Sequence, residues 1–217
     1  MDLEQIRRDY GLGQLSREQL ADDPHQQFAL WLQQAIAAEL SADPTAMPIA
    51  TVDADHCPSQ RVVLLKGYDP SGLRFYTNKD SNKGRDLSNN PNISAHFSWL
   101  PLERQVHIKG QVEPLTETQN DNYFYSRPKA SQVGALVSRQ SQPIENREQL
   151  DQQFAQLMAE YQHTPVPRPP QWGGFIIKPT TFEFWQGGRN RLHDRFVYWL
   201  DSQTSNQQQW QCQRLQP

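Results

Sequence analysis

The segment Glu183-Phe184-Trp185-Gln186-Gly187-Gly188-Arg189-Asn190-Arg191-Leu192-His193-Asp194-Arg195 gathers an indole, three arginines and an imidazole around a Gly-Gly pair. Phe182 to Trp185 read as a strand, because aromatic side chains favour a pleated, half-buried surface. Gly187-Gly188 then permits a tight turn. Beyond it, Arg191, His193 and Arg195 alternate with Leu192 and Asp194, so an extended segment puts the three basic groups on one face. Two guanidiniums and an imidazole suit an anionic ligand, and the imidazole can hold or move a proton near neutral pH. The same pattern also fits a solvated hairpin edge whose arginines guard against edge-to-edge pairing.

Three further clusters carry anion-binding chemistry. Arg61-Val62-Val63-Leu64-Leu65-Lys66 begins and ends an apolar strand with cations. The odd spacing turns Arg61 and Lys66 to opposite faces unless a bulge intervenes, and such ends often snorkel to solvent. Tyr76-Thr77-Asn78-Lys79-Asp80-Ser81-Asn82-Lys83 passes from strand to helix with hydroxyls, lysines and unpaired backbone donors, which can cradle a phosphate. A capped surface helix has the same composition. Tyr123, Arg127 and Ser131 are spaced four apart, but Pro128 biases Arg127 out of the helical region. Ser131 then falls in the first turn of a second helix, with Arg127 and Tyr123 folding toward it; ordinary helix decoration is the competing reading.

The elements around these groups are mainly β with attached helices (α+β). Asp23-Pro24 starts a helix whose apolar face is Phe28, Trp31, Leu32, Ala35, Ile36 and Leu40, ended by Asp43-Pro44. Strands are expected at 47–52, 61–68, 73–77, 93–99 and 104–113, with a short helix at 81–89. Thr116 to Gln119 fit a capping box for a helix to about Ser126, a second helix covers 129–137, and a third runs from Asn146 to Tyr161. The Pro-rich stretch 164–170 is an extended connector back to the same barrel, and Trp210 to Leu215 make a final strand. Short strands separated by turn residues point to an antiparallel barrel. Residues 1–22 are expected to be a mobile N-terminal arm and residues 23–217 a single domain.

Lys+Arg 21 against Asp+Glu 24 gives a net charge of −3, which argues against a general nucleic-acid binder. Cys57 and Cys212 are far apart and form neither a metal-ligand pair nor a redox motif, and His56-Cys57 alone makes a poor metal site. Without an apolar leader or a run long enough to span a bilayer, a cytoplasmic location off the membrane is expected.

Taken together, Glu183 to Gln186 followed by Arg191 to Arg195, with Asp43 to Met47, Arg61 to Lys66, Phe75 to Asn78, Leu102 to Val106, Tyr123 to Gln132 and Trp172 to Phe175, resemble the pyridoxine (pyridoxamine) 5′-phosphate oxidase family over nearly the full length. The resemblance implies an FMN-binding split β-barrel working as a homodimer, with non-covalent FMN at the subunit interface. It also implies oxidation of pyridoxamine 5′-phosphate or pyridoxine 5′-phosphate to pyridoxal 5′-phosphate, with O2 as acceptor.

Carried over by residue, the flavin contacts are Arg61, Val62, Leu64, Leu65, Lys66, Tyr76, Thr77, Ser81, Lys83, Gln105, Gln140, Ser141, Trp185 and Arg195, some of them from the second subunit. Lys66, Tyr123, Arg127 and Ser131 are implied to hold the substrate phosphate, and Arg191 and His193 to be catalytic, lying against the pyridine ring. Arg7, Tyr10 and Asp43 resemble the family's lid residues. Asn82 stands where the family commonly has arginine, which implies weaker FMN retention. The hairpin at Ala54 to Cys57 also departs, lacking the usual glycine. A non-catalytic split barrel holding flavin or a vitamer is the competing class; it has no need of Lys66, Tyr123, Arg127, Ser131, Arg191 and His193 together.

Overall fold

The computed structural model describes residues 1–6, 8–40, 43–201 and 209–217. Among these residues, nine antiparallel strands form one sheet: β1 (Ala46–Val52), β2 (Pro58–Leu64), β3 (Gly67–Asp69), β4 (Gly72–Asn78), β5 (Asn92–Trp99), β6 (Arg104–Pro114), β7 (Trp172–Gln186), β8 (Asp194–Leu200) and β9 (Trp210–Leu215). The order runs β2-β1-β5-β6-β7-β4-β3, and β8 joins β7 with β9 beyond it. Although β2 and β4 lie near opposite ends of that order, the Lys66 N–H just past β2 donates to the Arg74 carbonyl of β4 at 2.8 Å. The sheet therefore curls until its ends meet, which largely removes open edges.

Barrel closure follows from side-chain alternation. Met47, Ile49, Leu73, Phe75, Phe97, Val106, Ile108, Ile177, Phe182 and Phe184 are fully buried and fill the interior. Helix α1 (Pro24–Ala37) closes over it, with Asp23 accepting from the His25 N–H as its cap. Phe28 packs on the rings of Tyr68 and Phe97, and Trp31 meets Phe184 edge-on. This helix stops at Ala37, short of Asp43-Pro44, where Glu39 turns left-handed at φ 46°. Ile36, expected on the apolar face, is exposed, and Gln27 takes a buried place there, accepting from the Ala21 N–H.

Strand β7 has a dual role. Its first half pairs with β4, matching Tyr76 to Gly174, and its second half pairs with β8, matching Trp185 to Arg195. β6 runs along its other edge over the whole length, with a register shift at Lys109/Gly110. The helices α2 (Asn82–Asn89), α3 (Glu117–Ser126), α4 (Lys129–Val137) and α5 (Arg147–Glu160) have the expected placements. The second apolar cluster lies beneath the last three, around Phe124, Val133, Val166 and Trp172. Both cysteines are free thiols, and among the described residues no helix is long and apolar enough to cross a membrane.

Two sequence expectations need correction. The strand read as 61–68 breaks after Leu64: Leu65 turns into the core and β3 begins at Gly67. The segment after Gly187-Gly188 is not extended through Arg191. Arg189–Arg191 form a 3-10 turn in which Asn190 (φ 56°) and Arg191 (φ 62°) are left-handed, and the strand begins only at Asp194. The alternation that put Arg191, His193 and Arg195 on one face therefore does not hold.

Candidate active site

The end of the strand at Leu64 resolves the spacing problem between Arg61 and Lys66. Both line one cleft of about 660 Å³, together with Val62, Leu64, Tyr76, Thr77, Lys83, Tyr123, Arg127, Ser131, Gln140 and Trp172. A straight strand would have sent the two cations to opposite faces. Asp43 lies beside this cleft. Its carboxyl is held below the usual range by hydrogen bonds from Thr45 and, to a lesser degree, by the Lys66 ammonium.

The deeper end of the cleft is built on the start of α2. Ser81 caps the helix, its Oγ accepting from the Gly84 N–H. Lys83 is buried and its Nζ donates to Gln140 Oε1 at 2.8 Å, with Thr77 and Ser81 hydroxyls at 3.3 Å. Burial pushes the Lys83 pKa down, and the neighbouring Arg61 guanidinium adds to that. Ser141 is left-handed (φ 72°), and its Oγ accepts from the Asn82 N–H. The Asn82 side chain accepts from Arg85. A cluster of cations, hydroxyls and a helix N-terminus is what a phosphate monoester needs, so the residues fit a flavin phosphate.

The other end holds an aromatic stack. Tyr76 lies on Tyr123 with ring centroids 3.9 Å apart and on Trp172 at 5.3 Å. The Arg127 guanidinium sits 4.9 Å from the Trp172 centroid. Pro128 has the effect anticipated for it: Arg127 is extended (ψ 150°), and α4 restarts so that Ser131 is in its first turn. Arg127 Nη1 is buried and has no hydrogen-bond partner among the described residues. Burial depresses the Arg127 pKa, and Tyr123 pulls against that. An oriented guanidinium with a buried, unpartnered donor beside two hydroxyl-bearing side chains has the chemistry to receive a second anion.

Gln105, Trp185, Arg191, His193 and Arg195 lie elsewhere. Gln105, Trp185 and Arg195 stand directly opposite one another across β6, β7 and β8. They face away from the core, because Val106, Phe184 and Phe196, each one residue removed, are buried. Arg195 donates to Glu183 at 2.8 Å. His193 packs against Trp185 with ring centroids 4.6 Å apart and planes tilted by 41°, and its Nδ1 accepts from the Gly188 N–H at 3.1 Å. In the neutral ring the proton is therefore on Nε2, the nitrogen left to meet a ligand. Arg191 is exposed on the adjoining turn.

Tyr10 reaches this second group, meeting Trp185 and His193 edge-on at 5.7 and 5.3 Å. Its segment is fastened by carboxylates that sequence reading missed: Glu103 accepts from the Gly11 and Leu12 N–H groups, and Asp194 from that of Leu15. Glu103 is buried in a left-handed conformation, and nothing in its sequence neighbourhood announces a partner 92 residues away. Arg7 lies outside the described residues.

Gly187 and Gly188 serve close approach rather than turning. A Cβ on Gly187 would stand 2.7 Å from Tyr10 Cδ1, and one on Gly188 would collide with the Leu192 carbonyl. Gly188→Ala should therefore open the 188–192 turn and destabilise the chain by about 1–3 kcal/mol. It should also lower activity by freeing His193 Nδ1. Urea denaturation together with turnover checks both, and an unchanged variant would contradict the packing described.

The two groups are far apart within the chain. Tyr76 in the cleft pairs with Gly174, and Gln105 and Arg195 flank Trp185, eleven residues further along β7. That is about 35 Å of strand path. Arg191 and His193 thus form no part of the cleft of their own chain.

Comparisons with known proteins bear on both groups. Residues 32–160 match the pyridoxamine 5′-phosphate oxidase family, and residues 172–217 match the pyridoxine 5′-phosphate oxidase C-terminal dimerisation region. A pyridoxine/pyridoxamine 5′-phosphate oxidase of Idiomarina loihiensis is 56% identical over 100% of both chains. The crystal structure of PhzG from Burkholderia lata, in complex with tetrahydrophenazine-1-carboxylic acid, is similar with a TM-score of 0.86 and 31% identity, covering 94% of this chain and 98% of that one. A pyridoxamine 5′-phosphate oxidase-related, FMN-binding protein of Nostoc punctiforme shares the fold at a TM-score of 0.70 and 13% identity, over 91% of this chain and 100% of that one.

Proposed function

The chain belongs to the pyridoxamine 5′-phosphate oxidase family, and from that premise we propose that it oxidises pyridoxamine 5′-phosphate and pyridoxine 5′-phosphate to pyridoxal 5′-phosphate at sites shared between two subunits. It is an FMN-dependent oxidoreductase with a C-terminal dimerisation region. The overall reaction converts pyridoxamine 5′-phosphate, O2 and water to pyridoxal 5′-phosphate, ammonia and H2O2; the alcohol needs O2 alone. FMN, when bound, would supply the two-electron redox chemistry that couples oxidation at the 4′ carbon to reduction of O2.

The observation that carries this reading is the unpartnered, buried Arg127 Nη1 beside Tyr123 and Ser131, in the same cleft as the Lys83 cluster. One cleft offers two phosphate sites, and a flavin mononucleotide with a phosphorylated substrate needs two. Arg61, Thr77, Ser81, Lys83, Gln140 and Ser141 would hold the FMN phosphate. Lys66, Tyr123, Arg127 and Ser131 would hold the substrate phosphate. Exposed Val62 and Leu64 on the edge strand give the ring system an apolar bed.

His193 and Arg191 of the second chain would complete the site. With Nδ1 occupied by Gly188, His193 Nε2–H donates to a ring substituent, which orients the substrate and stabilises charge developing there. Arg191 adds positive charge alongside. Tyr10 and Asp43, carried by different subunits at any one site, would close over the substrate and exclude water.

Purified protein loaded with FMN and given pyridoxamine 5′-phosphate under oxygen should release H2O2 and aldehyde in equal amounts. Unphosphorylated pyridoxamine should be a far poorer substrate. A protein that takes up no FMN, or turns over both vitamers equally, would overturn the reading.

A further inference from the structure

A buried carboxylate stands behind the cleft. Asp86 lies on the inner face of α2, nearly fully buried. Its Oδ2 accepts from the hydroxyl of Thr51 on β1 at 2.6 Å, and Thr51 is itself fully buried. A threonine hydroxyl has one proton. Because that proton goes to Asp86, the Thr51 oxygen presents only lone pairs to Arg61, whose Nη1 donates to it at 2.6 Å. Arg61 Nη2 donates to Ser59 Oγ at 2.6 Å and lies 3.9 Å from Asp86. The guanidinium is thus held along one edge by a fixed row, carboxylate to hydroxyl to Arg61, and among the described residues no other side chain takes its remaining donors beside the cleft that it lines.

We propose that Asp86, acting through Thr51, is a positioning residue that fixes the Arg61 guanidinium for the FMN phosphate. This rests on the assignment of Arg61 to the flavin made above. Burial lowers the Arg61 pKa and Asp86 opposes that shift; at Lys83 too Asp86 acts against the lowering by burial and by Arg61. The carboxylate is therefore the counter-charge that lets two cations share a half-buried cleft.

The sign of the effect separates positioning from simple charge. A buried anion near a dianionic phosphate repels it, so if Asp86 acted only by its field, Asp86→Asn would tighten FMN binding. If it holds Arg61 in place, the isosteric Asp86→Asn loosens the guanidinium and binding weakens.

FMN titration of the full-length apoprotein, followed by quenching of flavin fluorescence, reads this directly. Asp86→Asn should raise the dissociation constant roughly tenfold, the size expected for a hydrogen bond to a charged group. Thr51→Val should do the same, while Thr51→Ser, which keeps the hydroxyl, should bind as the parent does; this pair carries the test if Asp86→Asn does not fold. In an Arg61→Ala background, Asp86→Asn should have no further effect. Unchanged or tighter binding by Asp86→Asn, or an equal loss with Arg61 already removed, would overturn the proposal. Arg61→Ala with parental FMN affinity would instead overturn the flavin assignment of the cleft, a separate result.

Discussion

Replacing Arg127 by alanine should lower kcat/KM for pyridoxamine 5′-phosphate roughly 10²–10³-fold while leaving FMN bound. The guanidinium is half-buried over Trp172, with Nη1 unpartnered. A phosphate arriving there meets a donor already out of water and already oriented. Removing one partner of such a charge pair costs about 3–4 kcal/mol, because the phosphate is left desolvated without its counter-charge. The loss should fall mainly on KM, since the phosphate is remote from the reacting carbon and its contacts are made in both ground and transition states. Arg127→Lys should recover only part of the loss. It restores charge but neither the planar fork nor the stack on Trp172. Steady-state kinetics with a flavin absorbance check on each variant decides the matter. Loss of FMN together with activity would mean that Arg127 serves the flavin end of the cleft.

Most of what positions these groups is local, and local features are legible in a sequence. Asp23-Pro24, Ser81 and Thr116 announce helix starts through side-chain capping, which depends on neighbours a few residues away. Pro128 forces the break that brings Arg127 and Ser131 together, and the helix at 129–137 falls where that break requires. What the sequence hides is of two kinds. Backbone irregularity is one: nothing in Val63-Leu64-Leu65 marks the end of a strand, and the left-handed pair Asn190-Arg191 sits beside glycines that look like the turn themselves. Long-range polar pairing is the other. Asp86 with Thr51, and Glu103 with the backbone of Gly11 and Leu12, are set by the closing of the barrel and leave no periodic trace. The resemblance implied that some flavin contacts come from a second subunit without saying which; the register along β7 sorts the residues into two groups about 35 Å of strand apart.

That separation leads to the second large effect. An Arg127→Ala homodimer and a His193→Ala homodimer should each be nearly inactive, His193 costing roughly 10²-fold as a group that touches the substrate. Exchange of subunits between them should restore activity. In a two-fold symmetric dimer each site would take its cleft from one chain and its Trp185–Arg195 segment from the other. In the mixed dimer, the intact cleft of the His193→Ala chain meets the intact segment of the Arg127→Ala chain, and one site is whole. The opposite site carries both lesions. Mixed dimers isolated through two different affinity tags should therefore show about half the parental activity, and an unfractionated equal mixture about a quarter. Pairing Arg127→Ala with Ser131→Ala supplies the control. Both lesions lie in the cleft, so each site of the mixed dimer keeps one of them and no activity returns. Recovery in the first pair and none in the second requires a shared site. No recovery in either would place His193 and Arg127 in the site of one chain, against roughly 35 Å of strand between their neighbourhoods.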